Sequence, residues 1–202
     1  MLTSQFIDVG GSGTVSLSDL KPTGEAVATD GEINIQLLDA YGRMTAIYQW
    51  IDWDGEPTGW CNGDYEVVEG VEFAAGQGLW VGGTSVNAAI QSAGKVGTGD
   101  VSIQLRAGST AAGNPFPTSI DLQDILVEGS NVATDGEINI QLLDAFGRMT
   151  AIYQWIDWDG EPTGWCNGDY EVVEGVEFTP GQGLWIGGTS DGAYLRFPAP
   201  EL

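Results

Sequence analysis

The chain reads Glu32-Ile-Asn-Ile-Gln-Leu-Leu38 and then, after a short break, Thr45-Ala-Ile-Tyr-Gln-Trp-Ile51. Apolar and polar side chains alternate in the first segment, which is the pattern of a strand with one buried face. The second segment is rich in β-branched and aromatic residues, which favour strands. The break between them contains Gly42, which can adopt the positive φ of a tight turn. Together the two segments predict a β-hairpin.

The hairpin belongs to a segment that occurs twice, because Val27–Ser85 recurs as Val132–Ser190, 105 positions later. Both copies contain further short strand and turn signals, and neither shows a sustained 3.6-residue period that would indicate a helix. Only four of the 59 aligned positions differ: Tyr41/Phe146, Ala74/Thr179, Ala75/Pro180 and Val81/Ile186.

These patterns predict the fold class and the domain organisation. We expect an all-β chain with two tandem, near-identical β-sandwich or partly open β-barrel domains related by internal duplication. The first domain spans residues 1–95 and the second spans residues 96–202, and each is large enough to own a core. Within the first domain, Asn62-Gly63 is a strong hairpin signal and predicts a following strand at Tyr65–Val68.

The segment before the second copy predicts a strand that the first copy lacks. Within residues 100–106, the alternation places Val101, Ile103 and Leu105 on one face. We therefore expect the first domain to lack an N-terminal strand and to leave an open sheet edge, which can accept a strand from another molecule. Because the C-terminal tail differs from the first copy, it is the candidate donor, with the assembly residues Tyr194, Leu195, Phe197 and Leu202. Its two prolines weaken that assignment, because each removes a ladder donor.

The composition excludes several functional classes. The chain carries 29 acidic residues, six basic residues and no histidine, for a net charge of −23. So large a negative charge argues against nucleic-acid binding, which needs a basic patch. The lack of histidine excludes Ser-His-Asp and Cys-His catalysis. No segment approaches the roughly 20 apolar residues of a membrane helix, so we expect no membrane insertion. Cys61 and Cys166 are interpreted as free, half-buried thiols, with a disulfide between them or a bridge between molecules as the alternatives.

An acidic loop in each copy is a candidate calcium site. Asp52-Trp-Asp-Gly-Glu56 and its repeat place carboxylates at alternate positions, and Ca²⁺ prefers such oxygen ligands. The spacing is not that of an EF-hand, and a solvated acidic loop is the alternative. Paired carboxylates could also serve a glycosidase, but two identical active sites in small β units are not expected, so we predict no enzyme. The candidate calcium ligands are Asp52, Asp54, Glu56, Asp157, Asp159 and Glu161.

All eight tryptophans lie in the repeats. Trp50 and Trp80 sit in apolar strands and are expected in the core. The other two in each copy flank the acidic loop, and aromatic rings beside acids and amides on a β-sheet protein suit a sugar-binding face. Ordinary packing is the interpretation that we favour for these four rings, and the alternative is a glycan platform formed by Trp53, Trp60, Trp158 and Trp165.

Two motifs resemble those of uncharacterised secreted β-repeat proteins of bacteria. One is Gly113-Asn-Pro-Phe-Pro117 followed by Ile120-Asp-Leu-Gln-Asp-Ile125, and the other is Phe73-Ala-Ala-Gly-Gln-Gly-Leu-Trp80. The first copy departs from the pattern, since Ser4-Gln-Phe6 stands where Asn-Pro-Phe is expected. The resemblance implies an extracellular or cell-surface location and implies no activity.

Near-identical duplication favours functions that scale with copy number, such as a fibre that gains length or a binder that gains avidity. The sequence therefore predicts a non-enzymatic extracellular structural protein that assembles with copies of itself into a fibre or surface layer, by intersubunit strand addition. The alternative is a duplicated carbohydrate-binding module, whose partners are glycans.

Overall fold

The computed structural model describes residues 14–39, 43–74, 79–83, 88–91, 99–105, 108–144, 147–159, 162–180, 182–188 and 192–200. These residues form strands and two short 3-10 helices, Leu17–Asp19 and Leu122–Asp124, so the all-β prediction is confirmed. The strands are β1 (Thr14–Ser16), β2 (Lys21–Gly24), β3 (Asp30–Leu38), β4 (Met44–Asp52), β5 (Thr58–Cys61), β6 (Glu72–Ala74), β7 (Leu79–Gly82), β8 (Ala88–Gln91), β9 (Val101–Gln104), β10 (Gly108–Gly113), β11 (Ile120–Asp121), β12 (Leu126–Gly129), β13 (Asp135–Leu143), β14 (Met149–Asp157), β15 (Thr163–Cys166), β16 (Glu177–Phe178), β17 (Gly183–Gly188) and β18 (Ala193–Phe197).

The predicted hairpin is confirmed and forms the centre of the largest sheets. In the first copy the strand order is β5-β4-β3-β7, and in the second copy it is β10-β17-β13-β14-β15. The corresponding strands pair in the same register, since Ile35 lies opposite Tyr48 and Ile140 lies opposite Tyr153. None of the sheets formed by the described residues closes into a barrel.

Two hydrophobic cores lie under these sheets. One is built from residues between Val15 and Ile90, and the other from residues between Leu105 and Phe197. The alternation seen in the sequence decides which side chains enter the core, because successive side chains of a strand point to opposite faces. Ile33 and Ile35 are fully buried in the first core, and Ile138 and Ile140 are fully buried in the second.

The C-terminal strand β18 lies inside its own molecule. It is the central strand of the sheet β12-β18-β9, with Leu195 opposite Val127 on one side and opposite Ile103 on the other. Leu195 and Phe197 have no exposed surface, and Tyr194 is half-buried. The prediction that this tail is a free assembly strand is therefore wrong. Pairing within one molecule avoids the entropy cost of association, so a tail with partners in its own chain stays there. Leu202 lies outside the described residues.

The first copy has a smaller version of that sheet. Its strand β8, which is 105 positions before β18, pairs with β2, with Ile90 opposite Pro22. The predicted strand at 100–106 is confirmed as β9, which fills the second edge of β18. Among the described residues, no strand fills the equivalent edge of β8.

The two copies touch at the turn between β13 and β14. Gly147 has a φ of +72° there, and a Cβ added to it would overlap the indole ring of Trp80 in β7. Glycine therefore serves two purposes at this position, since it tolerates the left-handed backbone and lets the ring approach. This contact joins the largest sheet of the first copy to the central hairpin of the second.

The Gly113–Pro117 motif forms a buried turn. The side chain of Asn114 donates to the carbonyls of Thr118 and Phe178 at 2.7 and 3.0 Å, and its Oδ1 accepts from the Phe116 amide at 2.9 Å. Asn114 is 1% exposed, so these bonds satisfy polar groups that water cannot reach. The motif therefore has a structural explanation within the chain.

Candidate ligand-binding surface

An exposed pair of aromatic rings lies at one end of the central hairpin in the first copy. Trp53 follows β4 directly, and Tyr65 lies in the turn after β5. The two ring centroids are 5.6 Å apart and the rings are tilted by 33°. Trp53 is 42% exposed and Tyr65 is 51% exposed. Since large apolar side chains are usually buried, two neighbouring exposed rings form an unusual surface.

The turn that carries Tyr65 is built around Asn62. The Oδ1 atom of Asn62 accepts from the amides of Asp64 and Glu66 at 2.9 and 3.0 Å, and its Nδ2 donates to the Glu66 carboxylate at 3.1 Å. The backbone N–H of Asn62 also donates to the backbone carbonyl of Glu66 at 3.0 Å. Five residues are thus closed into a tight loop, which is a common role of asparagine in turns.

Tyr65 is in an unfavourable backbone conformation. Its φ is +62°, the left-handed region that is costly for a bulky residue. The sequence predicted a strand at Tyr65–Val68, and this prediction is wrong: only Val67 forms an isolated bridge, with Cys61. The Asn62 loop reverses the chain too tightly for a regular strand, and it turns the Tyr65 ring towards Trp53.

The second copy repeats this surface. Trp158 and Tyr170 lie 5.5 Å apart with a tilt of 35°, are 42% and 49% exposed, and Tyr170 has a φ of +62°. Asn167 makes the same contacts as its counterpart, including a 2.9 Å bond from the Asp169 amide. Each copy therefore presents one exposed Trp–Tyr pair, which we call the aromatic pair.

Trp60 and Trp165 do not belong to this surface, so their place in the predicted glycan platform is wrong. They are 3% and 0% exposed, and their indole Nε1 atoms donate to the carbonyls of Leu20 and Ile125 at 2.7 and 2.9 Å. Each packs edge-on against the tryptophan opposite it on the neighbouring strand, at 5.5 Å. Their strand places them on the core face, where a large ring with a satisfied N–H is stabilising.

The acidic loop lies beside the aromatic pair. Asp52, Asp54 and Glu56 are exposed, and the Asp52 carboxylate accepts from the Thr58 hydroxyl at 3.4 Å. Within the described ranges, no three acidic or cysteine side chains come together as a group that could hold a metal ion. Asp157 and Asp159 are exposed in the second copy, and Glu161 lies outside the described residues. The calcium site stays a prediction.

The two cysteines occupy equivalent positions in the two copies. Cys61 and Cys166 are free, as expected, but they are fully buried and not half-buried. Burial raises the pKa of both thiols, because a thiolate loses its hydration there. Since the thiolate is the nucleophile, both side chains are held in the unreactive form.

Sequence reasoning found half of the aromatic pair. Trp53 and Trp158 are among the platform candidates of the sequence, whereas Tyr65 is predicted in a strand and Tyr170 is not singled out. The sequence does contain a pattern that could have located these tyrosines in a loop. Asn62-Gly63-Asp64 places three turn-forming residues directly before Tyr65, which favours a loop longer than two residues.

Comparison with known proteins does not assign this chain to a group. No protein-family model, no curated protein and no solved structure matches it. The resemblance to secreted bacterial β-repeat proteins stays a prediction. The part of the chain that the structure describes contains no helix long and apolar enough to span a bilayer.

Proposed function

We propose that this chain is a non-enzymatic, extracellular glycan-binding protein with one binding surface in each of its two copies. The observation that supports the proposal is the exposed aromatic pair, present twice with nearly the same distance and tilt. One face of a sugar ring is lined with C–H groups, and such a face packs on an aromatic ring. The hydroxyl groups at its rim can donate to the neighbouring carboxylates of Asp52 and Asp54.

The backbone of Tyr65 supports a functional interpretation of the pair. A non-glycine residue in this region costs about 1–3 kcal/mol and persists where surrounding contacts enforce it, often at binding sites. A glycine would relieve this cost, yet both copies carry tyrosine. The ring it places next to Trp53 is half exposed and adds little to the core, so the benefit of keeping it lies outside folding.

Two copies of one weak site explain the duplication. A glycan with many identical units can occupy both aromatic pairs, and the second contact then forms at an effective concentration in the millimolar range. Avidity of this kind can exceed the affinity of one site by about 10²–10⁴-fold. We accordingly infer two tandem β-sandwich domains, residues 1–95 and 96–202, related by internal duplication.

A glycan array followed by calorimetry tests this function. We expect a polysaccharide ligand whose binding is lost in Trp53→Ala plus Trp158→Ala. The matched control is Met44→Ala plus Met149→Ala, because these methionines are also exposed (58% each) but lie at the opposite end of the same hairpins. Loss of binding in both double variants, or in neither, would overturn the proposal.

A second candidate function is self-assembly into a fibre or surface layer through the edge of β8. In the second copy β9 covers the equivalent edge and packs Val101 and Ile103 against the core. We propose that the edge of β8, which no described strand covers, accepts a strand from another molecule of this chain. The donor is not β9, because β9 already pairs with β18 in its own molecule. Burying three apolar side chains of the incoming strand stabilises the contact by at most about 5–9 kcal/mol, before the cost of ordering it.

A peptide of the sequence of residues 100–106 tests this second candidate. It should bind the intact chain, break up any assemblies seen by sedimentation velocity, and lose both effects when Ile103 is replaced by Asp. Calcium belongs to the same experiment, since a chain of charge −23 repels its copies. If the extent of assembly is the same with and without a calcium chelator, the calcium site has no role in assembly. A chain that neither assembles nor binds the peptide would overturn this second candidate function.

A further inference from the structure

Carboxylates flank both rings of the aromatic pair. Asp52 and Asp54 are the neighbours of Trp53 in the chain, and Asp64 and Glu66 are the neighbours of Tyr65; all four are exposed. Adjacent Cα atoms are about 3.8 Å apart, which is less than half of the roughly 8 Å Debye length in physiological salt. A ligand on the rings therefore meets a concentrated negative potential that salt screens only in part.

The basic residue of the same copy is far from this potential. Arg43 is the only Lys or Arg between residues 27 and 85. It precedes the nine-residue strand β4, and Trp53 follows that strand. At about 3.3 Å per residue, the strand separates them by about 30 Å, which is several Debye lengths. Arg43 therefore does not neutralise the carboxylates beside the rings.

The second copy repeats this arrangement with Asp157 and Asp159 beside Trp158, and with Asp169 and Glu171 beside Tyr170. The only base between residues 132 and 190, Arg148, forms a 2.7 Å ion pair with Asp144, at the other end of β14 from the rings. In both repeats, therefore, the carboxylates next to the rings in the chain are far from the one base of the same repeat.

We propose that the aromatic pairs select glycans built from amino sugars, whose free amines are protonated. This inference rests on the proposed glycan-binding function and names its ligand class. The sugar face packs on the rings, while each ammonium group is attracted by the electron-rich ring faces and by the adjacent carboxylates. Glycans that carry uronic acids or sulfates are repelled by the same carboxylates, and neutral glycans gain the stacking contact and the hydrogen bonds of their hydroxyl groups but no charge attraction.

Two chitin-derived hexamers provide the test, because they share one ring framework and differ in charge. One is the hexamer of glucosamine, which is cationic at pH 6, and the other is the neutral hexamer of N-acetylglucosamine. We expect calorimetry at 20 mM salt to show about two- to fivefold tighter binding of the cationic hexamer, the range expected of one exposed ion pair. This advantage should shrink at 300 mM salt.

Isosteric variants separate charge from stacking. Replacing Asp64 and Asp169 by Asn should reduce the advantage of the cationic hexamer and leave the neutral hexamer unchanged, because these two exposed carboxylates are given no role in binding the neutral sugar. Equal binding of both hexamers to the natural chain would overturn the amino-sugar inference and leave glycan binding intact. Cationic binding that survives Trp53→Ala plus Trp158→Ala would also overturn it, since charge alone would then hold the ligand. If no glycan binds, the proposed function fails together with this inference.

Discussion

Replacing Tyr65 and Tyr170 by Asn separates binding from folding. Asn tolerates a φ near +62°, so each substitution should relieve about 1 kcal/mol of backbone strain. Each also removes a ring contact at about 5.5 Å, and such contacts contribute about 0.5–1.5 kcal/mol. The two effects nearly cancel, so we expect the free energy of unfolding to change by less than about 1 kcal/mol per site.

Ligand affinity should respond very differently. Losing one ring of each aromatic pair should weaken glycan binding by about 5–30-fold per site, as expected for the loss of about 1–2 kcal/mol of contact. Thermal unfolding and calorimetry on the same samples measure both effects. Tyr65→Phe plus Tyr170→Phe is the control, because it keeps the rings and should keep the binding. A loss of more than about 2 kcal/mol in stability with unchanged binding would refute the reasoning, since the tyrosines would then be structural.

Three further predictions concern the scaffold. Gln123→Ser introduces the residue found at this position in the first copy, and it should lower the free energy of unfolding by about 1–3 kcal/mol. The reason is that the Gln123 side-chain amide makes three hydrogen bonds of 2.8–3.2 Å to Trp165 and Val173. Amide hydrogen exchange at β15 should accelerate. Gly147→Ala should lower the free energy of unfolding by about 2–4 kcal/mol, because alanine is strained in the left-handed backbone conformation and its Cβ overlaps Trp80. An unchanged melting curve would exclude that contact. Hydrogen bonds from the Ala199 amide and the Arg196 guanidinium hold the pKa of Asp100 below its ordinary value. The stabilising effect of this carboxylate is present above the ordinary pKa of an aspartate and is lost as the pH falls through the lowered value. Asp100→Asn should therefore flatten the acid limb of the curve of unfolding free energy against pH.

The sequence was sufficient for the central hairpins and their buried faces. Alternation at Glu32–Leu38 predicts which side chains point inward, because the two-residue period of a strand is a local property. The near-identity of Val27–Ser85 and Val132–Ser190 then implies that both copies form the same hairpin, and they do so in the same register. The strand at 100–106 was likewise readable from its alternation.

The sequence was not sufficient for the candidate site. Trp53 and Trp60 are seven positions apart and flank the same acidic loop, yet the first is exposed and the second is buried. Tyr65 looked like a strand residue because its loop is defined by hydrogen bonds to Asn62 across several residues. Hydrophobicity cannot distinguish these cases, because burial depends on what the rest of the chain places against each ring.

The amino-acid sequence by itself determined the strand content, the internal repeat, the negative charge and the absence of histidine chemistry, since each is a property of composition or of short-range pattern. Only the tertiary structure decided where β18 pairs, which rings reach the solvent, and that Trp80 of one copy meets Gly147 of the other. These outcomes depend on contacts between residues far apart in the chain, and such contacts stabilise the protein only after folding has brought the strands together.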